Sequence, residues 1–396
     1  MGFFDGVALA EKDPILSLNA EFFEDSRSNK VNLGLGVYKN SELKPMLLSS
    51  VRKAENILAL KNLERGYLPI DGDPQFLRLS SELLFGRDSQ RLSSGHVYAA
   101  QSLGGTGALR LGADFLFSEV GNRVYISDPT WINHKPIFIY AGHEIAYYPY
   151  YHKKSCNFDF ENMCSAIKEM PKGSVILLHG CCHNPTGIDP TLEQWKEIAS
   201  LIRKQQVFPF FDVAYQGFGE GLDKDAQVVR YFADEGLEMF VSYSCSKTFG
   251  LYGERTGVFF VVAKDESVVE KVASKTKSLI RTNYSSPPAH GARIVKTILS
   301  SDELREEWRT ELRNMRERVF EMRKALVSGL LAKSQDRDFS FMRDQRGMFS
   351  FSGLTKEHVD QLIVEYGIYM PGDGRINVAG LSSENLDYVV DAILSV

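Results

Sequence analysis

The sequence predicts an α/β protein built on a mainly parallel seven-stranded sheet, and three observations carry that reading. Short apolar runs recur at residues 97–101, 123–127, 144–149, 174–178, 208–212, 239–243 and 257–262. Several are apolar at successive positions rather than alternate ones, as expected of strands covered by helices on both faces. Helical stretches separate the runs, and strands alternating with helices call for crossovers and a mostly parallel sheet.

Taken in order, the chain opens MGFFDGVALAEKDP, with acidic residues early and no basic region, so it does not read as a secretory leader. Gly6 stands where a myristoylation pattern needs Ser or Thr. The run at 97–101 leads into glycines and a helix over 106–117. A second helix, 191–205, follows an Asp-Pro start signal. Over 302–333, Leu304, Trp308, Leu312, Met315, Val319, Met322, Leu326 and Leu330 recur at steps of three or four. One apolar stripe along a long helix fits a core helix joining two domains better than a partner-binding coiled coil. Residues 339–396 hold a strand-like RGMFSFSGL and a terminal helix from Ser383, a smaller α+β unit.

Composition narrows the function. The chain has 396 residues, 43% hydrophobic and 24% charged, with a formal net charge of -5. At roughly 100–200 residues per domain this length suggests two or three domains. A nucleic-acid binder normally shows a basic surplus, so that role is disfavoured. No apolar run reaches the roughly 20 residues of a membrane helix. The cysteines are Cys156, Cys164, Cys181, Cys182 and Cys245, an odd set with a vicinal pair and no CxxC. They read as small buried residues in a reducing cytoplasm rather than as a disulfide framework. No metal site is expected.

Four segments carry chemistry. QSLGGTGALR, 101–110, runs from a strand through glycines into a helix. Such a helix start can hold a phosphate on its backbone N–H groups, or be a tight structural turn. It is not a dinucleotide fingerprint, because Arg110 occupies the third glycine's place, and no P-loop occurs anywhere. HNPTG, 183–187, follows a strand end, where α/β ligands bind, though it also reads as a plain turn. FFDVAYQG, 210–217, ends a strand at Asp212, with Tyr215 three residues on. SCSKTFGLYGER, 244–255, places Lys247 past another strand end and Arg255 eight residues later. Lys is rarely buried unless paired, and a desolvated Lys can form a Schiff base. Singly these are ambiguous. Together they supply what pyridoxal 5'-phosphate requires: a Lys for the imine, a carboxylate for the pyridine nitrogen and donors for the phosphate.

The ordered series GGTGAL, CCHNPTG, DVAYQG, SKTFGLYGER and NYSSPPAHG resembles the class I pyridoxal-phosphate aminotransferases, in the aspartate and aromatic-amino-acid subgroup. The likeness runs from DPIL at Asp13 to RINVAG at 375–380. It implies the fold type I architecture. An N-terminal arm would take 1–12, a small domain 13–45 with 310–396, and a large cofactor domain 46–309. It implies that Lys247 forms the imine and moves the proton, that Asp212 pairs with the ring nitrogen, and that Tyr215 and Asn184 bond the 3-oxygen. Trp131 would stack on the ring, and His134 would support Asp212. Gly105, Thr106, Ser244 and Arg255 would hold the phosphate, with Tyr67 reaching the neighbouring subunit's cofactor. Arg375, with Asn184 and Trp131, would take the substrate α-carboxylate, and Arg281 would cross a dimer interface to the distal carboxylate. Gly36 would line the entrance.

The implied protein is a cytoplasmic homodimer with shared active sites. It would act on aspartate or glutamate and 2-oxo acids by a ping-pong route, with aromatic amino acids as the alternative donors. Cys245 departs from the family pattern where an aromatic is common. Asp373 departs where a small polar residue is usual, and a carboxylate there could weaken the Arg375 anion site.

Overall fold

The structure, a computed structural model, describes every residue except Met1, Glu11 and Gln335. Its centre is the seven-stranded sheet: β1 Val97–Leu103, β2 Arg123–Asp128, β3 Glu144–Pro149, β4 Val175–His179, β5 Phe208–Val213, β6 Met239–Ser244 and β7 Thr256–Val262. Across the sheet the order is β1-β7-β6-β5-β4-β2-β3. The pairs β6–β5, β5–β4, β4–β2 and β2–β3 are parallel, and β7 is antiparallel to both neighbours. That reversal positions the site. It puts Arg255, just before β7, on the edge where β1, β4, β5 and β6 end.

The strands are apolar throughout because both faces are covered. Phe210, Phe240 and Phe259 pack on one side with α1 (Gly104–Glu119). Phe211, Val241 and Phe260 join the opposite core with α2 (Leu192–Gln205). Helix α1 lies so close that a Cβ on Gly112 would stand 2.5 Å from the Phe210 ring. Helix α2 starts as its sequence signals: the Thr191 side chain and Gln194 form a reciprocal capping box.

The two ends of the chain meet. Val31–Asn32 pairs in parallel with Ile368–Tyr369, and Phe349–Phe351 pairs antiparallel with Arg375–Asn377. The 32-residue helix α3 (Asp302–Lys333) begins on a Ser301 cap. Its stripe is buried as expected except at one position. Met322 is half-buried, while its neighbour Arg323 is 3% exposed. Arg323 donates to Ser350 Oγ (2.9 Å), to the Phe349 carbonyl (3.2 Å) and to the Gly347 carbonyl. A hydropathy pattern cannot foresee this cation, because what it satisfies is backbone carbonyls distant in sequence. The terminal helix starts at Leu386 rather than Ser383, because the Asn385 side chain accepts from Ser382 N–H (2.8 Å) and makes a turn there.

Candidate active site

Nine of the residues singled out above line one cavity at the carboxyl edge of the sheet: Gly105, Thr106, Trp131, Asn184, Asp212, Tyr215, Ser244, Lys247 and Arg255. They converge because five parallel strand ends, those of β1, β2, β4, β5 and β6, and the start of the reversed strand share this edge.

One corner is built for an anion. Gly104 has φ +69, and a Cβ there would sit 2.7 Å from Arg255 Nη2. A Cβ on Gly105 would stand 3.1 Å from Ser244 Cβ. The glycines therefore let Arg255 and Ser244 close on the first turn of α1, whose N–H groups have no helical partners. Arg255 itself is left-handed, φ +49, and its Nη1 donates to the Tyr252 carbonyl (3.0 Å). Ser244 Oγ accepts from Ser246 N–H (3.2 Å), so its hydroxyl proton remains for a ligand.

Asp212 lies at the end of a directed hydrogen-bond chain. The Asn184 backbone N–H donates to His179 Nδ1 (3.2 Å). A backbone N–H can only donate, so His179 is neutral with its proton on Nε2. That proton goes to Thr130 Oγ1 (3.3 Å), whose hydroxyl donates to His134 Nδ1 (2.8 Å). His134 Nε2–H then donates to Asp212 Oδ2 (3.1 Å). Burial pushes His179 down to about 3, which agrees with the neutral ring. Burial raises the Asp212 carboxyl, but the His134 bond and the nearby Lys247 amine outweigh it and hold the group below its usual value. Asp212 therefore presents a fixed anionic oxygen to the cavity.

Lys247 stands on the short helix Cys245–Thr248 that follows β6. Burial pushes its amine down to about 8, against the pull of Asp212 and with help from Arg255 and Arg375. Its Nζ lies 5.0 Å from the centre of the Tyr215 ring. Burial raises the Tyr215 phenol, so it arrives as a donor. The turn carrying Lys247 is fixed from behind: Trp308 Nε1 donates to the Thr248 carbonyl (2.8 Å) and its ring stacks on Phe249 at 4.5 Å and 3°.

Arg375 is 4% exposed and borders the cavity through Asn184. Its Nη2 donates to the Gly34 carbonyl (2.6 Å) and Nη1 to Asn184 Oδ1 (3.3 Å). Its guanidinium lies 4.2 Å from the Phe349 ring centre, and its buried Nε has no partner. A buried orphan donor beside a cavity is a place for an anionic ligand. Asp373 does not spoil it. That residue is exposed and accepts from the Arg375 backbone N–H (3.1 Å), a contact within its own loop. Cys245 is a fully buried core residue. Gly36 lies beside this corner, where a Cβ would stand 3.3 Å from the Phe349 ring.

Two named residues lie away from both the cavity and the Arg375 corner. Tyr67 is 96% exposed and lines a separate groove with Tyr284, Ser285 and Pro287. Arg281 is exposed at the end of a helix and donates to Ser285 Oγ. Sequence reasoning missed His179, Cys181 and Tyr252, which line the cavity, and Phe349, which carries Arg375. His179 and His183 stand four residues apart, a ligand-like spacing that the sequence reading overlooked. Both rings are committed, His183 to Ser127 Oγ (3.0 Å) and Thr186 Oγ1 (2.8 Å). Phe349 gave no signal, since its role comes from a strand pairing across the small sheet.

A family model for aminotransferases of class I and II matches residues 28–393. The chain belongs to this family. Over 394 residues this aminotransferase is 48% identical to an aspartate aminotransferase of Escherichia coli (strain K12), covering 99% of this chain and 100% of that protein. It is 47% identical over 390 residues to a mitochondrial aspartate aminotransferase of Xenopus tropicalis, covering 98% and 91% of the two chains. Among solved structures, an aromatic-amino-acid aminotransferase from Burkholderia pseudomallei, covalently bound to pyridoxal phosphate, superposes with a TM-score of 0.97. Its identity is 48%, and 100% of this chain and 99% of that one are covered.

Proposed function

We propose that the aminotransferase binds pyridoxal phosphate around Lys247 and exchanges amino groups between aspartate or glutamate and the corresponding 2-oxo acids. The observation that carries this is the buried Arg375, with its unpartnered Nε, beside a cavity that already holds a Lys, an anionic Asp and a phosphate corner. The donor set fits the cofactor group by group. The glycine cradle with Ser244 and Arg255 suits its phosphate, Asp212 its ring nitrogen, and Tyr215 with Asn184 its 3-oxygen. Trp131 offers a face for its ring.

When bound, the cofactor draws electrons from the substrate α-carbon through its protonated ring. The chain's own residues do the rest. Arg375 grips the α-carboxylate and fixes which bond faces Lys247. Lys247 Nζ takes the α-proton as base and returns it as acid. The relay through His134 keeps Asp212 ionised and oriented. The first product leaves before the second substrate enters, giving ping-pong kinetics.

A neutral Lys247 amine is needed to capture the cofactor's aldehyde, and its proton leaves near pH 8. Cofactor uptake by the apoprotein should therefore accelerate about tenfold per pH unit below that value and level off above it. Stopped-flow absorbance checks this. A rate still climbing past pH 9.5 would mean an ordinary exposed lysine.

The relatives named aspartate aminotransferases support the dicarboxylate substrates. The Burkholderia structure supports a second reading, in which aromatic amino acids are the preferred donors. Comparing kcat/KM for aspartate and for phenylalanine with 2-oxoglutarate separates the two. A large excess for phenylalanine rejects the first.

The homodimer belongs to the same proposal. Tyr67 and Arg281 are exposed here because their work lies in the partner's site, the one at its cofactor phosphate, the other at the distal carboxylate. Arg281→Ala should lower kcat/KM for aspartate by about 10–100-fold, the worth of a charge-assisted pair, and leave phenylalanine nearly unchanged. Mixing Arg281→Ala and Lys247→Ala subunits should then restore about a quarter of the aspartate activity, since each mixed dimer holds one intact site. No recovery after subunit exchange would place Arg281 outside a shared site. Residues 13–45 with 310–396 would move as one unit over 46–309, and 1–12 would reach the partner. The free cysteines favour the cytoplasm.

A further inference from the structure

We propose that Cys181, Cys182 and Asp225 form a binding site for a soft divalent cation of the zinc and cadmium class, and that its occupation excludes the cofactor. The two sulfurs and an Asp225 carboxylate oxygen all lie within 4.8 Å of one another, and all three residues are buried. This is the single such cluster among the described residues. Two thiolates and a carboxylate are a ligand set that such cations take, with a fourth position left open.

The cluster is organised by its backbone. Adjacent side chains in an extended strand point to opposite faces. Cys182 instead has φ +52, which turns the chain just past β4. Asp189 holds that turn, accepting from the N–H groups of Cys182 (2.6 Å) and His183 (2.9 Å). Asp225 is held as firmly. It accepts from Gly217 (2.8 Å) and Gly219 (2.9 Å) on one oxygen and from Glu220 (2.7 Å) on the other. Three N–H donors leave the carboxylate about one lone-pair site, on the oxygen that accepts from Glu220.

A counter-charge stands close by. Each thiol must release its proton to solvent when it binds the cation, so uptake strengthens as pH rises. Two thiolates, one carboxylate and a divalent cation leave one negative charge. The buried Arg323 guanidinium, which donates to the Gly347 carbonyl, stands beside Cys182: a Cβ on Gly347 would be 2.5 Å from Cys182 Cβ. Its positive charge offsets that remainder, while the Asp189 carboxylate at the turn is faced by Arg346.

The route in and the consequence follow from position. Cys181 lines the cavity around Lys247, and Asn184 lies three residues further along the same loop. A cation therefore enters through the cofactor's own space and draws on the loop that carries Asn184. The transamination chemistry uses neither cysteine.

The test is cadmium chloride added to the holoenzyme. One cadmium should bind per chain with two protons released, a cadmium–thiolate ultraviolet band should grow, and the cofactor should appear in the filtrate. Raising free pyridoxal phosphate to ten times its Kd should slow the loss of activity about tenfold, and a chelator should reverse it. Cys182→Ser should keep transaminase activity, lose the band and resist cadmium. Proton release and the band in the unaltered enzyme make the same distinction should that variant misfold. A band of unchanged size in Cys182→Ser, cadmium uptake without proton release, or inactivation indifferent to cofactor concentration would each overturn the proposal.

Discussion

Lys247→Ala should lower kcat by about 10⁴-fold, because both proton transfers lose their only suitable group. No neighbour can stand in. His179 lines the same cavity, but its two nitrogens are taken by Asn184 N–H and Thr130 Oγ1, and burial holds it neutral. Tyr215 keeps its proton because burial raises the phenol. The fold should survive. Lys247 lies on a four-residue helix whose neighbours are fixed independently, Thr248 by Trp308 and Phe249 by ring stacking. Removing a buried amine also relieves its desolvation. Steady-state kinetics with a circular-dichroism control decides this, and a loss under tenfold would remove Lys247 from the chemistry.

The second large effect is expected at Arg375. Arg375→Ala should lower kcat/KM by about 10³-fold for aspartate and for phenylalanine alike, since both present the same α-carboxylate. The magnitude follows from stripping one partner from a buried charge pair, a loss of about 2–5 kcal/mol. Arg375→Lys should recover little, because an ammonium cannot reproduce the planar fork held by Gly34, Asn184 and the Phe349 ring. The contrast with Arg281→Ala is diagnostic. One arginine should affect every substrate, the other only the dicarboxylates. Equal losses for both substrates in both variants would undo the assignment of the two carboxylate sites.

The sheet was legible in the sequence because its strands are apolar on both faces and punctuated by helix signals. The cavity was legible because Asp212, Tyr215, Ser244, Lys247 and Arg255 all follow or adjoin strand ends, and parallel strands bring their carboxyl ends together. What stayed hidden depends on pairings between distant segments. Arg323 interrupts an apolar stripe to satisfy carbonyls of the 347–350 segment. Phe349 reaches Arg375 through the strand pairing of Phe349–Phe351 with Arg375–Asn377. The direction of the relay from Asn184 through His179, Thr130 and His134 depends on hydrogen positions that no spacing rule supplies. Tyr67 and Arg281 carry the opposite lesson: the family resemblance assigns them roles that one chain by itself does not display.

The most direct test of the account is the visible absorbance of the purified protein. A cofactor band should be present or appear on adding pyridoxal phosphate. It should shift when aspartate is added and return when 2-oxoglutarate follows. A protein that acquires no band even with excess cofactor, or whose band ignores both substrates, would contradict the reading of this cavity as a transaminase active site.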